Sequence, residues 1–203
     1  MPKCRNTTQG GFTLIELMIV IVISAIILAW GVPSFETFIK NNRVTAETNR
    51  FLADIQLARS EAIKRGVPVN ICRVKAESFN PNSPACHTGT SERQYELGWV
   101  AYTSTARDTS ITSSNTQLAI GSAVASGITI RSDGAGNGWL SFQSNGMLNE
   151  GAGVSARYRI CAKASSSDSV GANTEQVPGR EITISPTGRP SISKLPAGTA
   201  CSF

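Results

Sequence analysis

Histidine is nearly missing from this chain. His87 is the only one, and it follows Cys86. A metal site there would need two or three further ligands, and no C-x-x-C or H-x-x-x-H spacing supplies them. No G-x-S-x-G elbow occurs, and the many serines stand in turn-rich segments without a histidine base. Neither catalysis, a cofactor nor a metal is therefore expected. Strong charge is lacking too: the formal balance is +5, but Lys3 and Arg5 lie ahead of everything else, and without them 17 basic residues face 14 acidic ones. That excess is too mild to argue for nucleic acid by itself. Beyond Gly66 there is no helical periodicity, and the composition excludes a disordered chain.

What is there in quantity is one apolar run. From Phe12 to Val32 the only polar side chains are Thr13, Glu16 and Ser24. A helix rising ~1.5 Å per residue covers a hydrocarbon core over that length. The 203 residues then leave room for one globular domain besides the anchor. A secretory signal peptide is the rival reading, because Lys3 and Arg5 form a basic start and Ala29-Trp30-Gly31 passes for a cleavage site. Its apolar region would run for ~7–15 residues without an acid, whereas this one is longer and holds Glu16. An acid at a span centre costs roughly 2.5–3.5 kcal/mol, so Glu16 calls for a partner. Cleavage between Gly11 and Phe12 would put it one helical turn from a new α-amino group. That amine points away along the helix, so its natural partner is the amine of a neighbouring copy displaced along the axis. The alternative is a shallow carboxylate reaching the headgroups.

Cys4 stands in the basic N-terminal segment, while Cys72, Cys86, Cys161 and Cys201 lie beyond the apolar run. An even set of four past a membrane segment predicts two disulfides in an oxidising compartment. Three pairings are open. Sequential closure, Cys72 with Cys86 and Cys161 with Cys201, is the expected one, and buried free thiols are the alternative.

Gly11-Phe12-Thr13-Leu14-Ile15-Glu16 after a short basic leader resembles the class III signal of type IV pilins and type II secretion pseudopilins. The resemblance implies that a prepilin peptidase cuts after Gly11, removing Cys4 with the leader. It also implies that Phe12 becomes the N-methylated first residue and that Glu16 sets the register of the subunit in a growing filament. Glycine before the cut leaves the scissile peptide extended and accessible.

Pro33 follows Gly31, a pairing that breaks or kinks a helix, after which the helix resumes. Phe35, Phe38 and Ile39 share one face, and a second stripe runs through Phe51, Leu52, Ile55, Ala58, Ala62 and Ile63. Lys64 and Arg65, Gly66 and Pro68 together predict an end near Arg65. Short β-rich runs follow at 67–74, 99–103, 118–120, 128–131, 139–142, 158–162, 180–184 and 191–193. Asn145-Gly146 is a two-residue hairpin signal, and Ser185-Pro186-Thr187-Gly188 can join the last two strands.

Several of these stretches resemble the GspH/FimT domain, in particular minor pilins of the FimU/FimT type: Asn42-Arg43, Ala46-Glu47-Thr48-Asn49, residues 56–65, Val69-Asn70-Ile71-Cys72, Gly98-Trp99-Val100 and residues 180–189. The fold class implied is α+β and type IV pilin-like. A long N-terminal helix, half transmembrane and half amphipathic, packs on antiparallel β-sheets. Residues 1–11 are the leader, 12–33 the membrane helix, 34–66 the amphipathic half and 67–203 a periplasmic β-rich domain. The implied partners are a major pilin, other minor pilins, prepilin peptidase and the inner membrane, crossed once with the N-terminus cytoplasmic, before incorporation into a filament. The cysteines and Pro33 favour the pilus branch over the secretion branch, whose corresponding subunits usually lack that cysteine pattern.

Two further motifs were candidates for chemistry. Asp133-Gly134-Ala135-Gly136-Asn137-Gly138 has G-x-G-x-G spacing, but it leads into a strand rather than a helix N-terminus, and Ser144 stands where a calcium loop wants Glu, so a turn is expected. Arg157, Arg159, Arg180, Arg189 and Lys194 fall on the last predicted strands and could form a patch that releases counterions from DNA. Some FimT-type minor pilins bind DNA through Gly-Arg-x-Arg. Here the run is Gly188-Arg189-Pro190-Ser191, without the second arginine.

Overall fold

Thr13 opens the first element: its Oγ1 accepts the Glu16 N–H at 3.3 Å, and its carbonyl accepts the Leu17 N–H at 3.2 Å. Thr13-x-x-Glu16 is a capping-box sequence, and the hydroxyl satisfies one of the four N–H groups that a helix start leaves over. In this computed structural model α1 then runs over Leu14–Arg65 as one element, so the Gly31/Pro33 pair does not end it. Proline removes one i→i−4 bond, and the turns on either side keep theirs. The predicted stop holds. Gly66 has φ 66° and donates its N–H to the Ala62 carbonyl at 3.0 Å, while Lys64 and Arg65 occupy the last turn. The structure describes residues 11–74, 85–87, 94–104, 111, 115–134, 138–150, 153–165 and 167–203, with the side chains at 31–33 left aside.

Contacts divide the chain into two units, Met1–Ile39 and Lys40–Phe203. In the first, α1 carries a window of mean hydropathy 2.6, none of it buried, which is long and apolar enough to cross a membrane. Ser24 Oγ donates to the Val20 carbonyl at 2.7 Å, so even this hydroxyl is satisfied within the helix.

The second unit holds eight strands: β1 (Val69–Arg73), β2 (Trp99–Thr103), β3 (Gln117–Gly121), β4 (Ile128–Ser132), β5 (Trp139–Phe142), β6 (Ala156–Ala162), β7 (Arg180–Ile184) and β8 (Pro190–Lys194). They form two antiparallel sheets, ordered β3-β2-β1-β5 and β4-β6-β7-β8. Val44, Phe51, Ile55, Ala58 and Ala62 of α1 lie in one core with Ile71, Trp99 and Leu140 of the first sheet and Ile130, Tyr158, Ile160 and Ile182 of the second. Phe51 is the central knob, with ring centroids 4.7 Å from Trp99, 5.0 Å from Tyr158 and 5.6 Å from Tyr95. Ile63 departs from its predicted stripe and is 50% exposed. It sits on the flank of the buried 55-58-62 row and covers the loop at Gly146 instead. The first sheet is buried on its other face too, where Cys72, Val74, Cys86, Val100, Tyr102 and Trp139 cluster, so apolar residues of β1, β2 and β5 point to both faces.

Two turns meet on α1. Residues 143–147 are closed by Gln143 N–H to Met147 O (2.9 Å) and Gly146 N–H to Gln143 O (2.8 Å), with Gly146 at φ 78°. This is a three-residue loop ending in a left-handed glycine, not the two-residue hairpin that Asn145-Gly146 predicts. Leu148 bridges Phe142 and donates its N–H to the Pro186 carbonyl, and the Asn149 N–H bonds the Ser141 carbonyl at 2.8 Å, so the return side makes one bridge to β5 and no full strand. Residues 185–189 have the same closure, Ser185 N–H to Arg189 O and Gly188 N–H to Ser185 O, with Gly188 at φ 76°. Arg59 joins the two loops, donating Nε to the Gly146 carbonyl at 3.1 Å and Nη2 to the Thr187 carbonyl at 3.3 Å.

Candidate functional site

Residues 11–13 precede the helix, so the peptide bond between Gly11 and Phe12 lies in non-helical chain, and Phe12 is 87% exposed. A Cβ at Gly11 would meet nothing within 4 Å. Among the described residues, therefore, no packing requires glycine there. Downstream, Leu14, Ile15, Leu17 and Met18 are all exposed. Glu16 lies at the third helical position, where a carboxylate is favoured by the positive end of the helix dipole. Its place in the apolar run thus has a local reason in the helix itself.

Cys72 is bonded to Cys86 and Cys161 to Cys201. The first bond pins the segment at Cys86 over the outer face of the first sheet. The second holds Cys201 and Leu195 on Cys161 of β6. His87 Nδ1 lies 3.0 Å from Arg73 Nη2, and among the described residues no group of three His, Cys, Asp or Glu side chains converges. In the glycine-rich turn, Asp133 accepts both the backbone N–H and the Nε of Arg157, and the Gly138 carbonyl accepts the Tyr95 hydroxyl at 2.7 Å. Residues 135–137 of that motif lie outside the described residues.

The five basic candidates do not form one patch. Arg157 pairs with Asp133 at 3.3 Å and Arg159 with Glu181 at 2.8 Å. Their guanidinium groups also lie over the Phe203 ring, at 5.2 and 4.0 Å, and Arg159 Nη1 donates to the Ala200 and Ser202 carbonyls. These two arginines face one side of the second sheet. Arg180 and Lys194, register partners on β7 and β8, alternate with Glu181 and Ser193 and so face the other side. Arg189 is exposed in the turn between them.

One polar constellation has no forewarning in the periodicity. On α1, Glu47 accepts the Ala125 N–H at 3.0 Å and pairs with Arg50 at 3.3 Å; Arg50 donates to the Ser122 carbonyl and stacks over Trp99; Asp54 accepts the Trp99 indole N–H at 2.7 Å. The signal available was Glu47 and Arg50 three residues apart on a helix. Their targets are distant in sequence.

The model of the family described as "Type II transport protein GspH" matches residues 47–188, which is most of the chain. The protein belongs to the GspH family. A second model, described as the prokaryotic N-terminal methylation motif, matches residues 6–32. Together these make it a minor pilin or pseudopilin, a member of a family of structural subunits rather than of enzymes. Its fold is similar to that of the type IV minor pilin FimU of Pseudomonas aeruginosa in two crystal forms. In one the identity is 21%, with 81% of this chain and 98% of that chain covered and a TM-score of 0.54; in the other it is 19%, with 77% and 98% covered and a TM-score of 0.50. The minor pseudopilin EpsH from the type 2 secretion system of Vibrio cholerae matches at 13% identity, 79% and 98% coverage and a TM-score of 0.45. No curated protein matches the sequence. Members of this GspH-type group assemble with other pilins, are processed by prepilin peptidase and carry an N-terminal apolar anchor.

Proposed function

We propose that the protein is a minor pilin of a type IV pilus, cut between Gly11 and Phe12, methylated on Phe12 and added to the filament by packing of its apolar helix. The supporting observation is the order of three features along one segment: an exposed non-helical bond, a capped helix start bearing Glu16, and an apolar surface left uncovered by the described residues. The helix crosses the inner membrane with residues 67–203 on the periplasmic side, where the two disulfides persist. The second unit contacts the major pilin and other minor pilins during assembly. Once Phe12 is the first residue, the Glu16 carboxylate, one turn inside, neutralises the amine of an adjacent subunit and fixes axial register. Glu16→Ala leaves insertion intact, because the hydrophobic span is unchanged, and lowers the amount of the subunit recovered in sheared filaments. Normal incorporation of that variant refutes the register role.

The four cysteines beyond the span favour a pilus over a secretion machine. Deletion of the gene then abolishes surface pili and twitching, whereas exoproteins retained in the periplasm with pili intact would assign the subunit to secretion. DNA uptake finds less support, because Arg157 and Arg159 already carry carboxylate partners.

A further inference from the structure

Among the described residues, the second sheet is covered along one edge and open along the other. Gln94 bridges Arg131, and the Tyr95 N–H donates to the Ile130 carbonyl at 3.0 Å, which covers the outer edge of β4. At the opposite edge β8 pairs, among the described strands, with β7 alone. Ser185 N–H bonds the Arg189 carbonyl and Leu195 N–H the Gly179 carbonyl, each at 3.0 Å. The antiparallel alternation therefore turns the backbone groups of Pro190, Ile192 and Lys194 outward. Pro190 has no N–H. Ile192 and Lys194 keep both groups, a row of ladder positions with no partner strand among the described residues.

The same edge carries unmatched charge. Arg180 and Lys194 stand opposite each other in the closer, non-hydrogen-bonded kind of pair, where like charges repel. Arg180 donates to the Pro178 carbonyl at 3.3 Å, and among the described residues neither cation has a carboxylate partner. Arg189 adds a third exposed cation at the start of the strand. Between β8 and the helix, Gln56, Arg59, Ser60, Ile63 and Pro190 line a cavity of about 240 Å³. Ile192 is on the same face of the sheet as Pro190 and is 41% exposed.

We propose that β8 and the groove beside α1 accept an extended segment of a different protein subunit, added to the sheet as a fifth strand. Its carboxylates meet Arg180, Lys194 and Arg189, and an apolar side chain lies over Ile192 and Pro190. A second copy is the wrong occupant, because antiparallel pairing of two β8 strands about Ile192 sets Lys194 opposite Pro190, next to Arg189 of the other copy, so that cations meet and the proline offers no donor. The site is independent of Gly11 processing and serves a pilus or a secretion subunit alike.

The test uses the full chain in detergent micelles and two synthetic probes: a short Glu-Thr-Val-Thr repeat, which sets Glu and Val on one face as Lys194 and Ile192 are set, and its counterpart with Lys in place of Glu. The acidic peptide slows hydrogen exchange at the Ile192 and Lys194 amides, and its affinity falls about ten-fold in Arg180→Gln/Lys194→Gln. Ile192→Pro, which removes an outward N–H and leaves the β7 ladder intact, abolishes the protection. Because the comparison of the two peptides needs only the unaltered protein, instability of a variant does not rescue the idea. Equal binding of the lysine peptide, or no protection by the acidic one, overturns it. So does protection that grows with protein concentration alone, which means self-pairing, or binding of a DNA duplex through Arg180 and Lys194 with those amides unprotected.

Discussion

Gly188→Ala against Gly198→Ala separates backbone strain from collision. Both glycines are left-handed, at φ 76° and 80°, so an alanine side chain incurs the same conformational cost at either, about 1–2 kcal/mol. Their surroundings differ. A Cβ at Gly198 meets nothing within 4 Å, whereas one at Gly188 overlaps the Gly146 carbonyl oxygen and comes within 2.9 Å of Arg59 Nε. That carbonyl is the one Arg59 holds, so relief requires moving a loop and breaking a bond to the helix. Overpacking of this kind adds about 1–3 kcal/mol, giving a total near 2–5 kcal/mol at Gly188. Urea unfolding of the full chain in detergent, followed by tryptophan fluorescence, measures both, since Trp99 and Trp139 are buried. Equal losses of stability for the two variants would refute the account of how the two turns meet on α1.

Burial pushes the phenols of Tyr95 and Tyr158 above their ordinary value of about 10. The unfolded chain releases those protons first, so stability is fully present below about pH 10 and declines above it, by up to ~1.4 kcal/mol per pH unit for each group. Tyr95→Phe should flatten the alkaline limb of a denaturant-midpoint curve, and an unchanged limb would contradict this. Serine substitution of Cys161 and Cys201 opens a loop of 40 residues and should cost about 4 kcal/mol, against about 3 for Cys72 and Cys86 with a separation of 14. Unfolding midpoints of the two double variants in the reverse order would count against the chain-entropy origin.

Features set by neighbouring residues were legible in the sequence. All eight strands, the helix end at Arg65 and Gly66, and the turn at 185–188 follow from local composition and turn chemistry. The capping of α1 is equally local, but in Thr13-x-x-Glu16 the charge of the acid within an apolar run points first to a partner outside the chain. Strand order was not legible. β1 bonds both β2 and β5, and β4 bonds β6, pairings that the strand sequences leave undetermined because short strands with a few apolar residues each fit more than one neighbour. The same holds for Arg59, whose acceptors come from loops 87 and 128 residues away, and for Asp54, which meets Trp99 across 45 residues. Among the candidate residues, Gly11, Phe12 and Glu16 fall on one segment, as their spacing requires. The basic set divides because side chains alternate across a sheet, and register depends on which strands pair.

The most direct test is intact-mass and N-terminal fragment spectrometry of the mature chain isolated from cells that contain prepilin peptidase. The account predicts a first residue of N-methylated Phe12, with Gly11 and everything before it removed. A mature chain that begins elsewhere, or that keeps the leader while the peptidase is active, would contradict it.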